Sequence, residues 1–380
     1  MPLTGSGIWR NPTKKRFAAR PKACDFTGVH GFRSSDTAYR NHHGTITART
    51  RMEKGRQVRP RITWRAVPIM ILVFLRAQAM TNCPEVLLET FGRRWAAGGF
   101  NSSMMSVNGV DLHVVSGGSG SPIVLLHGYP QSGEIWRFVA PELAKTHQVI
   151  IPDLRGMGLS GITNDGYDLP NLADDLHHLI AKFGHSRAAL AGHDWGGAAG
   201  ASWALHHRAD ITRFSFIESA VGGAGFESMW VFDRPNRAMT FIPFLLAEPL
   251  PESLIVGRED VFLQHLWKTF THNKGRVPFE SWQPYADAMK RPGLIRSSAS
   301  FYRSVYGGAD RMRALIASGK LAIPVLSISG QFSFGTAQRG FVEAFASNIV
   351  GDVVVENSGY FVAEEQPERL MAEFRNFFDN

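Results

Sequence analysis

Residues 188–197 read Ala-Ala-Leu-Ala-Gly-His-Asp-Trp-Gly-Gly. The first four are a short apolar run of the kind that forms a buried strand. From Gly196 to His207 small residues predominate, which suits a closely packed helix. Between the two, Gly192-His193-Asp194-Trp195-Gly196 has the form G-x-nucleophile-x-G. Glycines on either side of such a residue let the backbone turn sharply from strand to helix, so the central side chain projects above the sheet. That turn commonly presents a serine; here it presents Asp194. A carboxylate is ionised near neutral pH and attacks without help from a base. Its covalent product is an ester to an alkyl carbon. The substrate then needs an electrophilic sp3 carbon, as in an epoxide or a carbon–halogen bond.

The flanking sequence supplies the sheet that such a turn requires. Met104–Val115 carries Asn108-Gly109 between two apolar runs, a hairpin signal. Pro122–Gly128 and Val149–Gly156 are buried-strand runs, and Ile211–Glu218 follows the small-residue helix. Leu172, Leu176, Leu179, Ile180 and Phe183 recur at helical spacing. After an aromatic insert, Ile323–Gly330 and Val353–Gly359 are further strands, and a helix is expected from Glu364 to Phe378. Strands alternating with helices imply a mostly parallel sheet covered on both faces. The expected division is a basic, disordered leader over 1–103 with a short apolar run at 66–75, a core over 104–221 and 310–380, and a helical cap over 222–309.

Three motifs together resemble one family. His127-Gly128-Tyr129-Pro130, Asp153-Leu154-Arg155-Gly156-x-Gly158-x-Ser160 and Gly192–Gly197 look like the epoxide hydrolase and haloalkane dehalogenase branch of the α/β-hydrolases. The resemblance covers about Met104 to Asn380 and implies an α/β-hydrolase fold with an inserted cap. It implies an oxyanion hole from the backbone N–H groups of Tyr129 and Trp195, two preorganised donors for a tetrahedral intermediate. Many haloalkane dehalogenases carry Asn where Tyr129 stands, so the aromatic residue is more similar to the epoxide hydrolases. Fluoroacetate dehalogenases carry Arg after the nucleophile, so Trp195 speaks against a carboxylate substrate.

Ring opening also needs a proton donor, which the family takes from a cap tyrosine. Phe301-Tyr302-Arg303 resembles that motif and makes Tyr302 the candidate. A phenol is neutral at pH 7 and donates one O–H. The stretch matching the second ring-opening group offers only Thr240, a poor acid. The relay acid is missing from Gly330-Gln331-Phe332-Ser333-Phe334, so Glu218, ending the strand after the nucleophile helix, is the candidate.

The last loop breaks the pattern. A motif like G-H-[FW]-x-x-E-E is expected, and the chain reads Gly359-Tyr360-Phe361-Val362-Ala363-Glu364-Glu365. Tyr360 therefore stands where the resemblance puts the base that activates water. An unperturbed phenol titrates near 10, so about one in a thousand is ionised at pH 7. His193 and His127, the nearest other imidazoles by motif, are expected to be structural.

Bulk composition bounds the remainder. The 380 residues hold 41 basic and 33 acidic side chains, for a formal charge of +8. Residues 1–65 carry 15 of the basic residues against only Asp25, Asp36 and Glu53, so the body that follows is net acidic. No nucleic-acid footprint is expected on it. Residues 66–75 form an apolar run of ten, too short to span a bilayer as a helix. Preceded by Arg59, Arg61 and Arg65 and followed by Ala77-Gln78-Ala79, that run has a signal-peptide layout if the chain starts near Met52. The expected location is cytoplasmic, with export as the alternative. Cys24 and Cys83 both precede the core. With no H-E-x-x-H, no cysteine set and no G-x-G-x-x-G after a strand, neither metal nor organic cofactor is implied. The reading is an epoxide hydrolase-like enzyme acting on a small apolar epoxide or haloalkane-like substrate, with turnover impaired by Tyr360. Haloalkane dehalogenase is one alternative, and a non-catalytic ligand-binding relative is another. The sequence leaves the oligomeric state open.

Overall fold

Apolar runs long enough for one strand each alternate with helical segments, and the chain folds accordingly. The computed structural model describes residues 84–230 and 239–379. The basic stretch 1–65, the apolar run 66–75, Met52, Cys24 and Cys83 lie outside the described residues.

Eight strands form one sheet: β1 (Asn101–Val107), β2 (Val110–Gly117), β3 (Ser121–Leu126), β4 (His147–Pro152), β5 (Ala188–His193), β6 (Ile211–Ile217), β7 (Val325–Gly330) and β8 (Ile349–Val355). Their order is β1-β2-β4-β3-β5-β6-β7-β8. Asn108-Gly109 turns β1 into β2, both residues having positive φ, and this hairpin is antiparallel to β4. From β4 to β8 every pairing is parallel. β3 and β5 sit at the centre, and Val124, Leu125, Leu126, Leu190 and Ala191 are fully buried between two apolar layers. Open parallel sheets place their sites beyond the carboxyl ends of the strands. β5 ends at His193 and β6 at Ile217, immediately before Asp194 and Glu218.

The folded body starts earlier than Met104. Helix Pro84–Ala96 buries Leu87, Phe91 and Trp95, which recur every four residues on one face. Trp95 packs edge-on against Phe100, just ahead of β1, and its indole N–H donates to Glu134. Each large apolar side chain buried this way contributes about 1.5–3 kcal/mol. The upper bound of 103 for the leader is therefore corrected, since residues from Pro84 onward belong to the fold. The periodic apolar residues were present, but they lay ahead of the resemblance and behind a basic stretch.

Between β6 and β7 come the helices Phe241–Leu246, Leu250–Ile255, Glu259–Phe270, Gln283–Met289 and Leu294–Ala317. The last of these continues without a break past residue 309, the boundary drawn from the sequence. Among the described residues no helix is long and apolar enough to cross a membrane.

Candidate functional site

Asp194 caps the start of helix Trp195–His206 with φ +53° and ψ −123°, a strained backbone held by its neighbours. Its N–H donates to the Ile217 carbonyl of β6, and its carbonyl accepts from Ser219 Oγ at 2.6 Å. Gly128 has to be glycine, because a Cβ there would lie 2.2 Å from Asp194 Cβ. Gly192 is fixed in the same way: its Cβ would meet the Gly196 carbonyl at 2.4 Å. These contacts explain why the motif spaces glycine around both segments.

The carboxylate meets three donors. Tyr129 N–H donates to Oδ1 at 2.8 Å, the Trp195 N–H also donates to the carboxylate, and the Tyr360 hydroxyl donates to Oδ2. Burial pushes the Asp194 pKa up to about 6, while the Tyr360, Tyr129 and Trp195 hydrogen bonds pull it down.

Tyr302 lies on helix Leu294–Ala317 in a cage of rings. It is edge-on to Tyr129 at 5.5 Å, to Trp195 at 5.1 Å and to Phe241 at 5.8 Å. Its neighbours in the sequence secure it: Phe301 packs on Trp195 at 5.4 Å, and Arg303 binds the Leu245 carbonyl and Glu252. Burial first, and then the nearby Asp194 charge, hold the Tyr302 phenol well above its usual pKa. The Trp195 side chain hydrogen-bonds to it. Tyr129, Asp194, Tyr302 and Tyr360 share one narrow, aromatic-walled cleft of about 30 Å³, closed by Phe226, Phe241 and Phe270. Thr240 is exposed, and the next residue, Phe241, supplies a ring to the wall.

Glu218 follows β6 with φ +45° and is fully buried. Its carboxylate accepts from the Gly330 N–H, from Ser333 Oγ at 2.7 Å and from the Phe334 N–H. It therefore reaches the turn after β7, where no carboxylate occurs in the sequence. Burial pushes its pKa up to about 8 against these three donors.

Tyr360 is held on all sides. Its N–H donates to the Phe270 carbonyl at 3.0 Å, its carbonyl accepts from His193 Nε2 at 2.9 Å, and its ring packs against Phe270 and Phe334. Burial and then the Asp194 charge put its pKa well above the usual value, with Glu218 adding to the effect. A phenol has one proton, and this one is given to Asp194. Tyr360 and Glu218 are therefore not linked as a base and the acid that orients it.

The two flanking imidazoles are engaged elsewhere. Burial lowers His193 to about 4, so the neutral ring donates Nε2–H to the Tyr360 carbonyl. His127 Nε2 accepts from Leu154 N–H at 2.9 Å, and burial lowers its pKa as well. Sequence reasoning missed Ser333, which grips Glu218 from the turn searched only for acids. It also passed over the supports of the last loop. Glu365 accepts from the N–H groups of Gly359, His272 and Asn273, and Glu364 accepts from Gln131, Arg137 and Tyr285. The paired Glu364-Glu365 of the motif was the available signal.

Comparison with known proteins gives the family of the fold. The model of the alpha/beta hydrolase fold family matches residues 121–334. A soluble epoxide hydrolase of Corynebacterium sp. (strain C12) is 33% identical over 276 residues, which cover 72% of this chain and 95% of that protein. The crystal structure of Cfl2 wild-type from Burkholderia cenocepacia superposes with a TM-score of 0.71 at 31% identity, over 74% of this chain and 96% of that one. The epoxide hydrolase CorEH, solved without ligand, gives a TM-score of 0.68 at 30% identity over 74% and 99%.

Proposed function

Because the chain belongs to the α/β-hydrolase fold family, we propose that it is an epoxide hydrolase-like enzyme that opens a small apolar epoxide through an ester on Asp194. The observation that carries this reading is the pairing, within one cleft, of a carboxylate on a strained turn with a phenol held neutral, Tyr302. Similarity to a soluble epoxide hydrolase along most of both chains supports the choice of epoxide.

In the first step an Asp194 carboxylate oxygen attacks a ring carbon. The carbon–oxygen bond of the ring breaks, and its electron pair leaves on the ring oxygen. Tyr302 gives that oxygen its proton, yielding a hydroxyalkyl ester and a phenolate that water reprotonates. The cleft's aromatic walls favour an apolar substituent.

In the second step water adds to the ester carbonyl, the Tyr129 and Trp195 N–H groups stabilise the oxyanion, and the ester oxygen leaves with the diol. A base has to take the water's proton. Tyr360, neutral and donating, is a poor one, and a missing general base costs roughly 10²–10⁴ in rate. The body 84–379 is read as core plus cap, with the helices between β6 and β7 as the cap.

The test is incubation with a reactive terminal epoxide, followed by peptide mapping. The expected result is an adduct of the whole epoxide mass on Asp194, absent in Asp194→Ala. Labelling of Asp194→Ala at the same rate would overturn the assignment.

A further inference from the structure

Away from the cleft, helix Leu169–Lys182, the far end of helix Trp195–His206 and the start of β6 bring four polar side chains together. His177 Nδ1 lies 2.7 Å from Asp210 Oδ2, and His207 Nε2 lies 2.9 Å from Asp174 Oδ1. The two imidazole rings stack with centroids 4.1 Å apart and planes 9° apart. One ligand atom from each of His177, His207 and Asp210 falls within 4.8 Å of the others. We propose that His177, His207 and Asp210, with Asp174 as a fourth donor, form a binding site for a divalent transition-metal ion, Zn²⁺ by the chemistry of the donors.

Two imidazoles and two carboxylates suit zinc, nickel or copper rather than calcium or magnesium, which prefer all-oxygen sites. The two carboxylates balance the ion's double charge. Zinc binds such donors at about 2.0–2.2 Å, which sets neighbouring tetrahedral donors about 3.3 Å apart. The stacked rings have to rotate out of parallel to aim one nitrogen each at the ion, and the His177 side chain, 40% exposed, has solvent on one side into which to do so. Asp210, 9% exposed, is the fixed point. The Trp203 indole N–H donates to its Oδ2 at 2.8 Å. Outer hydrogen bonds of that kind aim a ligand carboxylate and are a usual part of metal sites. Binding exchanges two His–Asp hydrogen bonds for coordination by all four groups.

The site lies at the opposite edge of the sheet from Asp194. Asp210 immediately precedes β6, and Glu218 immediately follows it. Helix Trp195–His206 runs from Asp194 toward His207, and its 12 residues span about 18 Å. An ion there would staple that helix to Leu169–Lys182 without touching the cleft. It is independent of the reaction proposed above. No compact sequence motif announces it, because His177 lies far ahead of His207-x-x-Asp210.

The test is calorimetric titration of the full chain, stripped with chelator, with zinc chloride, alongside thermal melts. The expected result is a micromolar site and a melting temperature raised by several degrees. His177→Ala, at an exposed position, should melt normally without metal, bind more than about tenfold more weakly and lose the zinc-dependent rise. His207→Gln should do the same. Other histidines and the cysteines of the chain also attract zinc, so Co²⁺ is the second probe. Its d–d bands should appear without a thiolate charge-transfer band and disappear in His177→Ala. Unchanged zinc affinity and melting shift in His177→Ala, or no binding by the unmodified chain at millimolar zinc, would overturn the proposal.

Discussion

The Tyr360 hydroxyl donates to Asp194 Oδ2, so the residue in the last loop gives a proton toward the nucleophile rather than accepting one near it. That bond favours an ionised Asp194 and ties up the only proton Tyr360 has. The same arrangement helps the first half of the proposed reaction and hinders the second.

Ester formation should follow the ionisation of Asp194. Its pKa of about 6 is raised by burial and pulled back by Tyr360. The initial rate of epoxide labelling should rise with pH through about 6 and then level off. At pH 5 it should be about a tenth of the plateau. Tyr302, held well above 10, stays protonated and imposes no fall below that range. In Tyr360→Phe the bond that lowers the Asp194 pKa is gone, so the rising limb should move to higher pH. A limb that stays put would show that Tyr360 does not act on Asp194.

Replacing Tyr360 with histidine should restore water activation. The Tyr360 N–H and carbonyl are already held by Phe270 and His193, and Glu218 lies buried nearby. Ester release should quicken by roughly 10²–10⁴, measured as the decay of labelled protein after excess epoxide is removed. Release as slow as in the parent would mean that Glu218 cannot orient a base from its present position.

Glu218 should leave a mark on stability. Its folded pKa of about 8 lies above the ordinary value of 4.5. An acid raised in this way contributes most at low pH, and that contribution is lost as pH rises from about 4.5 through 8. Asp194, also raised, acts in the same direction at lower pH. The melting temperature should therefore fall between pH 5 and pH 8.5. Glu218→Gln should flatten the upper part of that fall. A variant whose melting temperature falls as steeply as the parent's would contradict the assignment.

The sheet was legible because its strands are continuous apolar runs and its turns carry glycine. The nucleophile turn was legible for a steric reason: Gly128 and Gly192 sit where no Cβ fits, so the spacing of glycines records the packing. Tyr129, Asp194, Tyr302 and Tyr360 were each named from motifs, and they meet in one cleft. Less visible was what long-range contacts decide. Glu218 is gripped by Gly330, Ser333 and Phe334, more than 100 residues away. The direction of the Tyr360 hydrogen bond is a matter of side-chain placement that no spacing encodes. Helix Pro84–Ala96 was hard to read because its buried stripe, Leu87, Phe91 and Trp95, follows a basic stretch and becomes decisive only through its packing on the sheet.

The central claim is that attack by Asp194 and release of its ester are uncoupled, and intact-protein mass spectrometry tests it most directly. The unmodified chain is mixed with excess reactive epoxide at pH 8, and mass and diol are followed together. The account predicts one adduct of the full epoxide mass, built up within minutes and lost slowly, with diol appearing no faster than the adduct decays. Sustained turnover at an ordinary rate of about 1–10³ per second, with no adduct at any time, would contradict it and would mean that another group supplies the base.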